Sequence, residues 1–173
     1  MPDMLVRLYA LPPDPAPPVA EPGRALHIRL AHPTERALVA DWVAREFGPR
    51  WAREATACFD GRPVTCHVAV DLPAAESAAR GYDDLRPERL VGFACHDVVA
   101  RGMFGPAGVA ERHRGRGIGT ALLFASLRAM RRQGYAYAVI ARVGPEEFYR
   151  RAVGATVIAG SEPGVYRGKL EVE

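Results

Sequence analysis

The chain has 173 residues, of which 25% are charged and 49% hydrophobic, proportions that suit one domain with a single core and exclude a disordered chain. Its formal net charge is +3, and the arginines that supply it are scattered, with no Lys/Arg block and no aromatic stacking series, so nucleic-acid binding is not expected. No apolar run reaches the length of a membrane span, and Met1-Pro-Asp-Met-Leu lacks the basic start and long apolar region of a secretory leader, so a cytoplasmic protein without membrane association is expected.

Met4 to Leu11 reads as a short strand. Proline crowds the stretch from Pro12 to Pro22, which predicts an extended connector, since proline fixes φ and lacks an N–H. Residues 1–24 are therefore read as strand plus connector, and 25–173 as one domain. Whether the opening strand is an accessory edge or exchanges between subunits of a homodimer stays open at this stage.

Leu26 to Leu30 alternates as a strand. A helix begins at Pro33-Thr-Glu and stops at Gly48-Pro49, with Leu38, Val39, Trp42, Val43 and Phe47 at helical spacing. A short second helix, from about Arg50 to Phe59, carries Trp51, Glu54 and Cys58. Val64 to Leu72 is a strand, Pro73 to Pro87 a polar loop, and Arg89 to Val99 a strand closed by a hairpin at Ala100-Arg-Gly. Met103 to Val109 should be the next strand, but Gly105, Pro106 and Gly108 interrupt it. A proline cannot sit in a regular central ladder, so a bulge is expected there.

Ile118 to about Gln133 forms the clearest helix, with Ile118, Ala121, Leu122, Ala125, Ala129 and Met130 as its buried stripe. Tyr135 to Ala141 suits a buried parallel strand, and Gly144-Pro-Glu-Glu opens a helix ending near Gly154. Ala155 to Ala159 and Val165 to Val172 are read as two final strands. The order β-α-α-β-β-β-α-β-α-β-β, with an extra N-terminal strand, predicts an α/β (α+β) fold: one mixed, mostly antiparallel sheet flanked by helices. Cys58, Cys66 and Cys95 have neither disulfide nor metal-ligand spacing and read as buried thiols; no metal site is expected.

The segment Val109-Ala-Glu-Arg-His-Arg-Gly-Arg-Gly-Ile-Gly-Thr120 carries the functional signal. A strand end leads through a turn of glycine and arginine into an amphipathic helix. Glycine lets the main chain approach a ligand, and the free N–H groups of a first helical turn attract anions. A P-loop is excluded because the only lysine of the chain is Lys169. A dinucleotide fingerprint needs an acidic residue about 20 positions on, where this chain has the apolar run at Tyr137.

The pattern that fits is Arg114-x-x-Gly117-x-Gly119 after an apolar strand. At these residues the chain resembles the GNAT superfamily of acetyl-CoA-dependent N-acetyltransferases, over most of its length from about Ala25. The resemblance implies acetyl-CoA as cosubstrate, with its diphosphate and pantetheine arm held by Arg114, Gly115, Arg116, Gly117, Ile118, Gly119 and Thr120. It implies that Gly108 and Val109, on the interrupted strand, meet the acetyl oxygen and pantetheine. It also implies that Tyr149 protonates the departing thiolate, although Gly154 follows this tyrosine by one residue more than the family usually shows. A base for the amine is less constrained, and Glu54, His96 and Asp97 are candidates. Trp42, Trp51 and Phe59 could line an acceptor groove or belong to the core. The acceptor would be a small-molecule or peptide amine. A non-catalytic acyl-CoA-binding protein is the alternative, and an arginine-based anion or RNA binder a more distant one.

Overall fold

A computed structural model describes residues 1–79 and 86–168. Seven strands form one sheet: β1 (Met4–Arg7), β2 (Arg24–Leu30), β3 (Cys66–Pro73), β4 (Leu90–His96), β5 (Met103–Val109), β6 (Tyr137–Ile140) and β7 (Thr156–Val157), in the spatial order β2-β3-β4-β5-β6-β1-β7. Every pairing is antiparallel except β5 with β6. The helices are α1 (Arg36–Phe47), α2 (Pro49–Ala57), α3 (Ala74–Ala79), α4 (Ile118–Arg132) and α5 (Glu146–Val153).

The sheet separates two cores. Alternation along β3 sends Cys66, Val68 and Val70 to the face covered by α1 and α2, where they meet Val39, Trp42 and Val43 with Leu90, Phe93 and Cys95. The opposite face packs on α4, joining Ile118, Leu122, Leu123, Leu127 and Met130 to Val91, Ala94, Met4 and Val6. Gly92 permits the close approach of this helix, since a Cβ there would lie 2.9 Å from Leu122 Cδ1 and 3.1 Å from the Gly108 carbonyl. Leu127 is fully buried between helix and sheet. Leu127→Ala is expected to destabilise the protein by about 2–5 kcal/mol in urea unfolding, through lost burial and the cavity it leaves.

The opening strand lies inside the sheet. β1 pairs with β6 on one side (Met4↔Ile140) and with β7 on the other (Met4↔Val157), and Met4 and Val6 have no exposed surface. The C-terminal segment is tied to it: Ile158 N–H donates to the Asp3 carbonyl at 2.9 Å, and Asp3 N–H to Ser161 Oγ at 2.8 Å. A strand was expected over Val165 to Val172. Gly164–Tyr166 is instead a single 3-10 turn, and Lys169–Glu173 lie outside the described residues. The place beside β6 is taken by β1, with β7 beyond it. The loop expected from Pro73 holds the short helix α3, in keeping with its alanines; residues 80–85 lie outside the described residues.

The proline-rich connector lies against α4. Asp14 forms an ion pair with Arg128 at 2.8 Å, and Pro15 to Pro18 border a small cavity with Ala121, Phe124 and Ala125. The buried face of α4 differs from the predicted stripe: Leu123, Phe124, Ser126 and Leu127 are buried, whereas Ala121 and Ala125, beside the connector, are half-buried.

Candidate active site

The expected bulge is present, and it opens the sheet. Between the pairs Ala94↔Ala107 and His96↔Phe104, β5 carries two residues, Gly105 and Pro106, against the single Cys95 of β4. Of β5, only Met103 and Phe104 pair with β6. Beyond Phe104 the two parallel strands separate, and Ala107 to Val109 keep partners on the β4 side alone. Ala110 N–H donates to the Val91 carbonyl at 3.0 Å. By strand alternation the Gly108 amide faces Phe93 on β4, while the amides of Ala107 and Val109 face the gap.

The gap is a cleft of about 600 Å³. Phe47, Trp51 and Phe93 line one wall, Pro145, Phe148 and Tyr149 the other, and residues 113–120, except Arg116, its mouth. Gly108 matters by what it lacks, because a Cβ there would stand 2.6 Å from the Phe47 ring. Phe47 in turn stacks on Trp51, with ring centroids 5.2 Å apart.

At the mouth, a 3-10 turn (Glu111–His113) leads through Arg114 to Gly115 and Gly117, whose φ angles of 76° and 78° are left-handed values natural to glycine. Gly117 precedes α4 and offers no capping side chain, and the first turn of α4 contains no carboxylate. Its amides are therefore available to an anion, reinforced by the positive end of a long helix dipole. Arg114 stays at the cleft, its Nε donating to the Val109 carbonyl at 3.2 Å. A diphosphate fits the chemistry of this donor set.

Tyr149, near the middle of α5, lies in the cleft wall with the additional residue before Gly154 in place; the helix closes at Gly154 in a left-handed conformation. Its ring meets Phe148 at 4.9 Å and Phe104 at 6.4 Å, both edge-on. Burial raises the Tyr149 phenol above its ordinary value, so it remains a proton donor at neutral pH.

The cleft gathers Gly108, Val109, Arg114, Gly115, Gly117, Ile118, Gly119, Thr120 and Tyr149. The remaining candidates lie elsewhere. Glu54 is outside the lining, on α2, with Arg50 Nε at 3.9 Å. Arg116 is directed away from the cleft, with Glu21 at 3.0 Å and Asp71 at 3.7 Å. His96 is fully buried and bonded to Gln133 Nε2, and Asp97 accepts from Gly102 N–H and the Tyr135 hydroxyl. Trp42 and Phe59 are core residues, whereas Trp51 lines the cleft. Among the described residues no carboxylate lines it. His113 was not anticipated; it lines the cleft and accepts a hydrogen bond at Nδ1 from Arg116 at 2.9 Å, which requires the ring to be neutral there. Burial, then the Arg112 and Arg116 charges, lower its pKa and favour that form. Glu21, Asp71 and His113 have the composition of a cation site, but Arg116 Nη1 already stands among them.

Comparison with known proteins identifies the family and the fold. The family model for the acetyltransferase (GNAT) family matches residues 37–155. The chain belongs to the GNAT acetyltransferase family. Among solved structures, the glucosamine N-acetyltransferase region of a fungal multi-domain β-N-acetylglucosaminidase superposes with a TM-score of 0.63 at 16% identity, over 91% of this chain and 19% of that one. A GCN5-related N-acetyltransferase from Sphaerobacter thermophilus gives 0.58 at 22% identity, over 91% and 48%. A GNAT-family N-acetyltransferase from Escherichia coli, solved with CoA, gives 0.55 at 20%, over 78% and 71%. The chain thus spans less than half the length of the first two. A search of the curated proteins matched none of them. Among the described residues no helix is long and apolar enough to cross a membrane.

Proposed function

We propose that the protein transfers an acetyl group from acetyl-CoA to a primary amine, on a small molecule or a peptide, by direct attack within a ternary complex. The observation that carries this reading is the meeting of three features in one cleft: an anion-binding turn, strand amides facing a gap, and a buried phenol. Acetyl-CoA supplies the acetyl group as a thioester. The amides of the first α4 turn hold its diphosphate, with Arg114 beside them. The Val109 N–H stabilises the carbonyl oxygen as negative charge develops there, a contribution worth about 3 kcal/mol where one such donor has been removed. The amine nitrogen forms the new C–N bond, the C–S bond breaks, and Tyr149 gives its proton to the thiolate. With no carboxylate in the described lining, the proton lost by the amine leaves through water. Direct transfer is favoured over an acetyl-cysteine route because Cys58, Cys66 and Cys95 are all buried in the core beneath α1 and α2. We place this activity in the cytoplasm as part of the same reading.

The test is to incubate the protein with acetyl-CoA and a panel of primary amines and to follow thiol release. Turnover on one or more amines is the expected result. Binding of CoA with no turnover on any amine would favour a non-catalytic acyl-CoA-binding role, and failure to bind CoA would remove the reading altogether. Gly117→Val is expected to weaken CoA binding at least about tenfold in calorimetry while leaving the circular dichroism spectrum unchanged. A β-branched residue is strained at a φ of 78°, whatever space surrounds it.

A further inference from the structure

Arg116 and the proline-rich connector hold each other in both directions. Val19 N–H donates to the Arg116 carbonyl at 2.8 Å, and Arg116 Nε donates back to the Val19 carbonyl at 2.8 Å. Arg116 Nη1 donates to Glu21 at 3.0 Å and to His113 Nδ1 at 2.9 Å, and stands 3.7 Å from Asp71. These partners come from three places: the connector, β3 and the turn itself. The Asp71 side chain is only 3% exposed, so this is an anchored cluster and not a solvated surface pair. Pro18 lies behind Gly117, and Asp14 secures the connector further along α4.

A turn containing Gly115 and Gly117 has much conformational freedom to lose. If that freedom were lost only when a ligand arrived, affinity would fall accordingly. Here the carbonyl between the two glycines is fixed from outside the cleft, and the guanidinium beneath it is engaged elsewhere through Nε and Nη1. We infer that Arg116 is a positioning residue, and that the proline-rich connector is a strap that holds the diphosphate-binding turn in its binding form. The sequence suggested a phosphate contact for Arg116 and a spacer for the connector. The inference rests on the proposed acetyl-CoA site and assigns part of the control of its affinity to residues 18–21.

Three variants test it. Val19→Pro removes one N–H within a run of prolines, at a residue whose side chain is 67% exposed and packs little. Glu21→Gln removes one charge from the cluster, and Arg116→Lys keeps charge but loses the planar fork. Hydrogen exchange at the amides of residues 114–120 in the ligand-free protein should quicken in all three. The dissociation constant for acetyl-CoA should rise roughly five- to tenfold, the effect of losing one or two such bonds. KM for acetyl-CoA should follow it, with kcat within about twofold of wild type. If Arg116 were a phosphate contact, Glu21→Gln would release its guanidinium to the ligand and tighten binding without changing exchange, and that result overturns the inference. Wild-type binding with equal binding by the variants overturns the strap alone. Failure of the wild type to bind acetyl-CoA overturns the functional reading and the strap with it.

Discussion

Tyr149→Phe is expected to lower kcat about a hundredfold while leaving the KM for acetyl-CoA within about twofold, the signature of a group that acts only in the transition state. The substitution is well suited to the question. The Tyr149 ring is held edge-on by Phe148 and Phe104, contacts that phenylalanine keeps. Only the hydroxyl is lost. Burial raises the pKa of the phenol, which favours the form that can protonate a thiolate and disfavours a role as base. The wild-type rate should therefore hold through neutral pH and fall on the alkaline side as the phenol ionises, and that alkaline limb should vanish in the variant. Unchanged kcat would mean that the thiolate takes its proton from water and that the tyrosine serves only to shape the wall. Steady-state kinetics at saturating amine, across the pH range, decides between these outcomes.

The parts of the site legible in the sequence are those whose cause is local. Gly115 and Gly117 before an amphipathic run announce a tight turn and a helix, because left-handed backbone and helical periodicity are both written within a few residues. Pro106 foretold the opening of the sheet for the same reason, as a residue without an N–H cannot complete a central ladder. The parts that were not legible depend on partners distant in the chain. Arg116 looks like a phosphate ligand until Val19, Glu21 and Asp71 are folded around it. His113 lines the cleft while accepting from that same arginine, a partner the sequence does not announce. Phe47 has the spacing of a core residue, and only its close approach to Gly108 places it in the cleft wall, stacked on Trp51, for which the sequence left groove and core both open. The opening strand alternates correctly, but alternation does not say which neighbours it will have. Its place between β6 and β7 follows from the whole order of the sheet.

The largest expected effect of pH on stability comes from a histidine away from the cleft. His67 on β3 faces α4, is 5% exposed, and lies 3.2 Å from Ser126 Oγ. Burial, then the charges of His96 and Arg132, lower its pKa to about 4. An unfolded chain binds this proton near the ordinary histidine value of about 6.5, so between the two values the unfolded state holds more protons than the native state. Stability conferred by the neutral ring is therefore complete above about pH 6.5 and is lost as pH falls toward the native value. Over that interval the loss is about 3 kcal/mol at 1.36 kcal/mol per pKa unit, from a total that for domains of this size is commonly about 5–15 kcal/mol. Burial lowers the His96 pKa as well, and its ring lies 6.1 Å from that of His67, so the two act in the same direction and a proton on either opposes one on the other. His67→Gln keeps a hydrogen-bonding group near Ser126 and removes the titration. Urea unfolding at about pH 7 and about pH 4 should show the wild type losing some 3 kcal/mol more than this variant across the interval. Equal losses in the two proteins would mean that His67 is protonated in the native state at the lower pH, with its charge satisfied inside the core.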